Sequence, residues 1–383
     1  MDFVDKIKIL GESARFDICG DCFISEEVKR AKDINLSKWI YPVTMPDGRE
    51  IRLLKVLLSN SCENDCAYCP ISKHLGIRRI SFRPEELAEG FMRLYRKNIV
   101  SGLFLSSGVK HNPELTMQEL IDTAYILRNR YNFRGYIHLK ILPGASLQSL
   151  EMAVKLASRV SINLEVPLEK YLSILSLKKD FKGDLLPKLK KISDFKRASP
   201  VYLRDGFTTQ FVVGAAGEKD KEILLTVFEL YKNLSLTRAY YSAFQPVPGS
   251  PLENYPSTPP IREYRLYQAD FLIRKYGFDF SELVFEADGN LNILSDPKTI
   301  WAKRHPDFFP VEIMNASYEE LLRVPGIGPR SAKKIVSLRK KVANLSVDVL
   351  LKLIPTFRRA MPYITIKGKK LVKGFKELSL FGV

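Results

Sequence analysis

The chain has 383 residues, of which 45% are hydrophobic and 27% are charged, and its formal net charge is +17. This composition excludes an intrinsically disordered chain, and the length allows one large domain with a smaller one, or two or three of medium size. The N-terminal MDFVDKIKIL lacks the apolar core of a signal peptide, and no uncharged apolar run is long enough to cross a bilayer. We therefore expect a cytoplasmic protein with no membrane partner.

The positive charge is concentrated in two segments. Residues 311–383 contain 15 Lys and Arg against five Asp and Glu, and residues 168–204 contain ten against four. An excess of this kind favours a polyanionic partner, so we expect the protein to bind nucleic acid. A solvated basic surface with no such partner is the alternative.

Short apolar runs alternate with amphipathic helical patterns from about residue 50 to 280. Six runs predict strands, at 51–59, 102–107, 135–142, 159–166, 208–215 and 238–244. Five patterns predict helices, at 84–98, 116–131, 146–158, 219–234 and 261–277. The alternation is typical of parallel βα units, and six strands predict an α/β fold with a partial (β/α)6 barrel of the TIM type. Ligands of such sheets bind at the carboxyl ends of the strands.

The composition divides the chain into four predicted parts. These are an N-terminal extension (1–49), the barrel (50–280) with a basic insertion at about 168–204, a connector (281–310) and a small all-α unit (311–383).

The most informative motif follows the first predicted strand. SNSCENDCAYCP at 59–70 places Cys62, Cys66 and Cys69 at the spacing C-x3-C-x2-C. Zinc with His74 as fourth ligand is one interpretation, although structural zinc sites usually take pairs of ligands from separated elements. A four-iron cluster is the other: three irons take the thiolates, and the fourth stays open for a small molecule.

The segment CENDCAYC resembles the cysteine loop of the radical S-adenosylmethionine enzymes, with Tyr68 at the usual aromatic position before the last cysteine. The resemblance covers about 50–280. It implies a [4Fe–4S] cluster on the three cysteines and S-adenosylmethionine on the open iron. In that family the reduced cluster cleaves S-adenosylmethionine to methionine and a 5′-deoxyadenosyl radical. The resemblance also implies an electron donor such as ferredoxin or flavodoxin.

The same resemblance assigns contacts to S-adenosylmethionine. Where the family has a GGE-like turn, this chain has SSG, so a serine hydroxyl or a carbonyl has to replace the missing acid. Asn163 and Glu165 alternate along one predicted strand, so they share a face, and they match the residues that hold the ribose. VVGAAGE at 212–218 resembles the element near the adenine. The full set of predicted contacts is Tyr68, Ser106, Ser107, Gly108, Asn163, Glu165, Gln210 and Gly214.

The C-terminal unit contains a second motif, NASYEELLRVPGIGPRSAKKIVSLRK at 315–340. Asn315 or Ser317 is expected to cap a helix, and the glycines open a turn whose N–H groups can bind a phosphate oxygen. The pattern resembles the helix–hairpin–helix DNA-binding motif, and 345–364 resembles a degenerate second copy. The predicted nucleic-acid contacts are Gly326, Gly328, Arg330, Ser331, Lys333 and Lys334. Such hairpins contact the backbone without reading the bases. A hairpin used only for protein contact is the alternative.

The two domains together resemble radical S-adenosylmethionine proteins that end in a helix–hairpin–helix unit. These are described as DNA modification or repair proteins and are linked with uracil-DNA glycosylases. The resemblance therefore implies a nucleic-acid substrate, with DNA favoured over RNA, and a partner of the uracil-DNA-glycosylase type. Two alternatives stay open: the same chemistry on tRNA or another RNA, and a non-catalytic iron–sulfur protein that binds or senses nucleic acid.

Two further cysteines, Cys19 and Cys22, form a C-x2-C pair in the N-terminal extension. Ligation of an auxiliary metal centre, a redox pair, a hydrogen-atom donor and incidental thiols are all compatible with that spacing.

Overall fold

The computed structural model of the protein describes residues 1–14, 37–44, 50–341 and 345–371. The chain divides into two compact units. Unit 1 comprises Met1–Glu218 and Thr226–Pro260, and unit 2 comprises Lys219–Leu225 and Ile261–Val383. Within the described ranges, no helix is both long enough and apolar enough to span a membrane.

The described part of unit 1 contains one seven-stranded sheet. Its strands are β1 (Ile40–Thr44), β2 (Glu50–Leu57), β3 (Gly102–Ser106), β4 (Tyr136–Lys140), β5 (Arg159–Ser161), β6 (Phe207–Val213) and β7 (Arg238–Ala243). They lie side by side in sequence order. Strand β1 is antiparallel to β2, and from β2 to β7 each strand pairs in parallel with the next. The sheet is a partial barrel, and the predicted fold class is confirmed.

Helices connect the parallel strands. They are α2 (Pro84–Arg96), α3 (Pro113–Tyr125), α4 (Leu147–Leu156), α5 (Glu169–Leu175), α6 (Leu186–Ala198) and α7 (Asp220–Leu234), whereas α1 (Phe3–Ser13) precedes the sheet in the sequence. Their starts follow local chemistry: Asn112 accepts the Glu114 N–H at 2.7 Å, and Pro113 occupies the first turn, where it needs no donor. Helices α5 and α6 belong to the basic insertion.

The six parallel strands supply the core of unit 1. Every residue of β3, β5 and β6 is buried, as expected for parallel strands that are covered on both faces. Burial on both sides fixes the strands, and it therefore fixes the positions of the loops that leave their carboxyl ends.

Strand β1 was not predicted, because it lies in the part assigned to an N-terminal extension. It contains Pro42, which cannot donate to a ladder and is normally confined to sheet edges. The structure places it at that position, as the edge strand beside β2.

Unit 2 is mainly helical. Its helices are α8 (Pro260–Tyr276, from Ile261 onward), α9 (Pro297–Arg304), α10 (Tyr318–Arg323), α11 (Pro329–Lys341), α12 (Val347–Leu353) and α13 (Phe357–Ala360). Its described residues also contain a small sheet of β8 (Val311–Glu312), β9 (Ile364–Ile366) and β10 (Lys369–Lys370), with β9 in the middle. The prediction of an all-α unit at 311–383 omitted these short strands. The prediction of a connector at 281–310 omitted α9.

Candidate active site and nucleic-acid interface

The cysteine loop, residues 59–70, leaves the carboxyl end of β2 and is fastened by one guanidinium group. The two terminal nitrogens of Arg79 donate to four carbonyls at 2.6–2.8 Å, those of Asn60, Ile71, Ser72 and Leu75. Asn60 adds a second connection, since its side chain accepts the Ile80 N–H at 2.7 Å. Because the carbonyls lie on both sides of the three cysteines, Arg79 fixes both ends of the loop.

The turn after β3 packs directly against the cysteine loop. The Gly108 N–H donates to the Ser59 carbonyl at 2.7 Å, and the Glu63 N–H donates to the Val109 carbonyl at 2.8 Å. A Cβ atom at position 108 would lie 2.4 Å from the Ser61 carbonyl oxygen and 3.0 Å from Cys62 Cβ. Only glycine allows this approach, so the SSG turn supports the cysteine loop whatever else it contacts.

A cavity of about 160 Å³ opens at the carboxyl ends of the strands. The structure brings ten predicted site residues together on its walls: Cys62, Cys66, Tyr68, Cys69, Ser106, Ser107, Gly108, Asn163, Glu165 and Gln210. Gly214 follows β6, has a φ of +90°, and donates its N–H to the Glu218 carboxylate. Gly214 and the exposed His74 are not among the described residues that line the cavity. The zinc interpretation therefore lacks its fourth ligand at this site.

Cys66 is buried, and Cys62 and Cys69 are half-buried. Burial raises the pKa of the Cys66 thiol and of the Cys69 thiol, so both stay protonated until a metal displaces the protons. In the described part of the chain, no three His, Cys, Asp or Glu side chains are arranged to hold a single metal ion. A four-iron cluster needs no such convergence, because each thiolate binds a different iron.

Glu165 is an unusual carboxylate within the cavity wall. It is a non-glycine residue with a φ of +67°, and it is only 4% exposed. Its Oε1 accepts a hydrogen bond from Lys179 at 2.8 Å, whereas its Oε2 is buried with no partner in the described residues. A strained backbone and an unpaired buried acceptor in one residue are typical of a position that is kept for a ligand.

Lys140 and Lys179 also line the cavity, and sequence reasoning missed both. Lys179 Nζ lies 2.8 Å from Glu165 Oε1 and 3.2 Å from the Tyr68 hydroxyl. Burial opposes its charge, but the neighbouring Cys66 and Glu165 groups outweigh burial and raise the pKa of Lys179. Lys179 belongs to the basic insertion, which had been interpreted only as a surface for polyanions. No signal in the sequence connects it with a cysteine more than 100 positions earlier.

The other predicted thiols, Cys19 and Cys22, lie outside the described residues.

In unit 2, the predicted hairpin joins α10 to α11. Ser317 caps α10 as predicted: its Oγ accepts the Glu320 N–H at 3.0 Å, and the Glu320 carboxylate accepts the Ser317 N–H at 2.6 Å. Gly326 has a φ of +85°, and a Cβ atom there would lie 2.7 Å from the Thr356 carbonyl oxygen. The turn therefore requires glycine both for its backbone conformation and for its packing.

The carbonyl groups of this turn are held from within the unit. Lys298 of α9, which is 7% exposed, donates to the Ile327 carbonyl at 2.6 Å, and Thr356 Oγ1 donates to the Gly326 carbonyl at 2.7 Å. Burial lowers the pKa of Lys298 to about 7. Gly326, Gly328 and Ser331 line one cleft of about 340 Å³. Arg330, Lys333 and Lys334 are exposed on the first turns of α11, where a phosphate can reach them.

The fold and the sites define an α/β protein whose partial barrel has a cysteine-lined cavity at its strand ends, with a hairpin unit C-terminal to it. Residues 311–338 match the family described as helix-hairpin-helix motif. No curated protein matches the chain.

Several solved structures are similar to this chain, at low sequence identity and low TM-score. HydG, a maturase of the [FeFe]-hydrogenase, is 13% identical with a TM-score of 0.45, over 57% of this chain and 48% of its own. Methylornithine synthase (PylB) is 14% identical with a TM-score of 0.47, over 58% and 61%. The cobalamin-dependent S-adenosylmethionine radical enzyme OxsB is 14% identical with a TM-score of 0.36, over 76% and 45%. The chain thus spans about half to three fifths of these proteins, and TM-scores below 0.5 are too low to assign a function.

Proposed function

We propose that the protein is a radical S-adenosylmethionine enzyme that modifies or repairs nucleic acid, with DNA favoured over RNA. One observation carries the proposal: three cysteines at C-x3-C-x2-C share a single cavity with polar residues from the ends of several parallel strands. Shared placement of this kind is what a barrel enzyme needs to hold a cofactor and a substrate together.

The residues present fit the implied cofactors. Cys62, Cys66 and Cys69 would hold a [4Fe–4S] cluster, and Gly108 leaves the space that brings the β3 turn against their loop. When bound, the cluster supplies one electron that cleaves S-adenosylmethionine to methionine and a 5′-deoxyadenosyl radical. The chain's own contribution is to bind the two groups next to each other and to exclude water from them.

Polar groups are available for S-adenosylmethionine. The unpaired Glu165 Oε2 can accept a hydrogen bond from a ribose hydroxyl, and Asn163 lies on the same wall. The Lys140 and Lys179 ammonium groups bring positive charge to a ligand that carries a carboxylate.

The nucleic-acid part of the proposal depends on unit 2. The 13-residue α11 begins directly after the hairpin turn, and Arg330, Lys333 and Lys334 are exposed on its first turns. This arrangement suits a phosphate backbone. By itself it gives no preference between duplex DNA and RNA. The preference for DNA comes from the resemblance of the two domains together to radical S-adenosylmethionine proteins that end in a helix–hairpin–helix unit.

The chemistry is tested by anaerobic reconstitution of the full chain with iron and sulfide, followed by reduction with dithionite in the presence of S-adenosylmethionine. We expect 5′-deoxyadenosine by mass spectrometry, and we expect Cys66→Ala to abolish both the iron content and the product. His74→Ala is the matched control and should leave both unchanged. Binding of iron without any 5′-deoxyadenosine would favour the non-catalytic alternative.

The substrate class is tested by competition between duplex DNA and tRNA at fixed salt. Replacing Lys333 and Lys334 by Ala should weaken duplex binding and lower its log–log salt slope by about 2, since each phosphate contact contributes about 1. The double substitution of Lys340 and Lys341 at the other end of α11 serves as the control. Stronger competition by tRNA than by duplex DNA would reverse the preference.

A further inference from the structure

The cleft beside the hairpin turn lies within unit 2 and has an aromatic side chain on its wall. Phe271 of α8 lines it together with Gly326 and Gly328 of the turn, and its volume is about 340 Å³. Phe271 is 37% exposed, whereas the residues before and after it in α8 are buried. A partly exposed phenyl ring in a cleft of this volume is available to a ligand with a flat aromatic face.

The Phe271 ring is held in place by its own helix. The guanidinium carbon of Arg274 lies over the ring, 5.1 Å from its centroid. Arg274 is held in turn, because its Nε donates to Oδ2 of the buried Asp270 at 2.8 Å. A ring that is already fixed loses little conformational entropy when a second flat group stacks on it.

The wall formed by the turn depends on glycine. A Cβ atom at position 328 would lie 3.0 Å from the Tyr276 hydroxyl, so a side chain there would narrow the space between the turn and the end of α8. Ser331, in the first turn of α11, lines the same cleft and brings a hydroxyl group that can donate to a phosphate oxygen. One cleft thus contains an aromatic ring and a donor for an anion.

The cleft offers no free carboxylate that would repel a phosphate. Asp296 is the one acid among the described residues that line it. Its carboxylate accepts the Thr299 N–H at 3.1 Å and is ion-paired with Arg359. The first turns of α11, which contain Ser331, also carry three exposed basic residues, Arg330, Lys333 and Lys334. An anionic group beside Ser331 therefore meets positive charge.

A nucleotide suits these features better than a segment of another protein. Among the described residues that line the cleft, Phe271 is the one exposed large hydrophobic residue, so an apolar helix would bury little area there. Gln268, one turn before Phe271, also lines the cleft and brings a carboxamide, a group that hydrogen-bonds to base edges. A nucleotide presents a base and a phosphate together, and the cleft has a partner for each.

We propose that this cleft binds a single unstacked nucleotide of DNA, with its base against Phe271 and its phosphate at the hairpin turn. The proposal rests on the proposed function, because it names the form of nucleic acid that unit 2 recognises: a duplex in which one nucleotide is unpaired. In an intact duplex the neighbouring bases cover both faces of every base, so Phe271 has no free face to stack on. Phosphate contacts are the same in both forms and cannot distinguish them.

Two probes test the proposal with the full-length protein. One is a DNA duplex with a single unpaired adenine in a bulge, and the other is the same duplex without the bulge. We expect the wild type to bind the bulged duplex about tenfold more tightly, since a base gains affinity by stacking on an aromatic side chain. Phe271→Leu should remove most of this preference and leave the affinity for the paired duplex unchanged. Phe271→Trp should retain the preference.

Two control variants separate stacking from folding and from charge. Tyr264→Leu is the matched control, because Tyr264 is 52% exposed on the same helix and is not among the described residues that line the cleft. It should bind both duplexes as the wild type does. Replacing Lys333 and Lys334 by Ala should weaken the binding of both duplexes by the same factor, because phosphate contacts do not depend on base pairing.

Competition with free dAMP identifies the source of the nucleotide. dAMP lacks the flanking phosphates, so it should displace the bulged duplex only at concentrations far above those of the unlabelled bulged duplex. Equal potency of dAMP would assign the cleft to a free nucleotide and overturn the proposal.

The remaining outcomes distinguish this proposal from the proposed function. Equal affinity of the wild type for the two duplexes, or an equal loss for both in Phe271→Leu, would overturn the nucleotide cleft and leave nucleic-acid binding by unit 2 intact. A protein that binds neither duplex at low salt would contradict both the cleft and the nucleic-acid part of the proposed function.

Discussion

At the scale of single residues, Arg79 is expected to determine whether the cysteine loop can hold a metal centre. Its planar guanidinium donates to four carbonyls in fixed directions, and an ammonium group cannot reproduce that fork. We expect Arg79→Lys to destabilise the protein by about 2–3 kcal/mol and to lower the iron bound after reconstitution. Iron and sulfide analysis together with thermal unfolding measures both effects.

Arg78 provides the matched control for that substitution. Its side chain is exposed, and it contributes its backbone carbonyl to the Asn60 side chain at 3.0 Å. Arg78→Lys should therefore bind as much iron as the wild type. Equal iron contents in the two variants would show that the carbonyl contacts of Arg79 are dispensable.

Gly108 gives a second prediction at this scale. In Gly108→Ala the new methyl group would lie 2.4 Å from the Ser61 carbonyl oxygen, so the β3 turn and the cysteine loop have to separate. We expect reduced iron content and a loss of about 1–3 kcal/mol of stability, as for other overpacked sites. Gly76→Ala is the control, because nothing lies within 4 Å of a Cβ atom there. Retention of the wild-type iron content in Gly108→Ala would contradict the close approach.

At the scale of elements, the helix α9 supports the hairpin through a buried lysine. Lys298 lies near Asp296, Arg323 and Arg359, and its Nζ is 4.6 Å from the ring centroid of Tyr276. Burial lowers its pKa to about 7 from an ordinary value of 10.5. Between these two pH values the unfolded chain binds one more proton than the folded chain, so this group makes stability rise with pH.

The prediction concerns the difference between wild type and Lys298→Met. Methionine does not titrate, so from pH 7 to pH 10 the wild type should gain stability relative to the variant by up to about 1.4 kcal/mol per pH unit. Chemical unfolding at several pH values measures this gain. Lys303→Met, on the exposed side of the same helix, should show no such trend. A difference that is constant with pH would mean that Lys298 stays charged.

The elements also show what the sequence could predict. Five of the six parallel strands were predicted to within about two residues at each end, because their apolar runs are long. The prediction at 159–166 was wrong in length: β5 ends at Ser161, so Asn163 and Glu165 lie beyond it and the argument from strand alternation does not apply to them. Helices α5 and α6 of the basic insertion were not predicted. Strands of two or three residues, such as β8 and β10, have no period to detect. Helix α9 did have a signal, because Asp296 and Pro297 form a cap and a first turn, but its eight residues are too few to show a clear helical period.

The residues of the candidate site also fall into a group that the sequence indicated and a group that it did not. The cysteine spacing and the order of the strands are local signals, and the structure brings ten of the predicted site residues onto one cavity wall, whereas their roles stay predictions. Arg79, Lys140 and Lys179 were missed because their roles depend on tertiary contacts. Lys179 reaches Tyr68 from 111 positions away, and nothing in a linear pattern connects the two.

At the scale of the whole molecule, the net charge of +17 is expected to couple the chemistry of unit 1 to nucleic acid through salt-dependent binding. Basic residues that neutralise phosphates release counterions, so the affinity falls steeply as salt rises.

If nucleic acid is the substrate, duplex DNA should raise the yield of 5′-deoxyadenosine at low salt. The increase should disappear at high salt, whereas the yield without DNA should stay the same. Product analysis across a salt series, with wild type and the Lys333 and Lys334 double variant in parallel, measures this. A DNA effect that survives high salt, or that persists in the double variant, would show that the positive charge of the hairpin does not recruit the substrate.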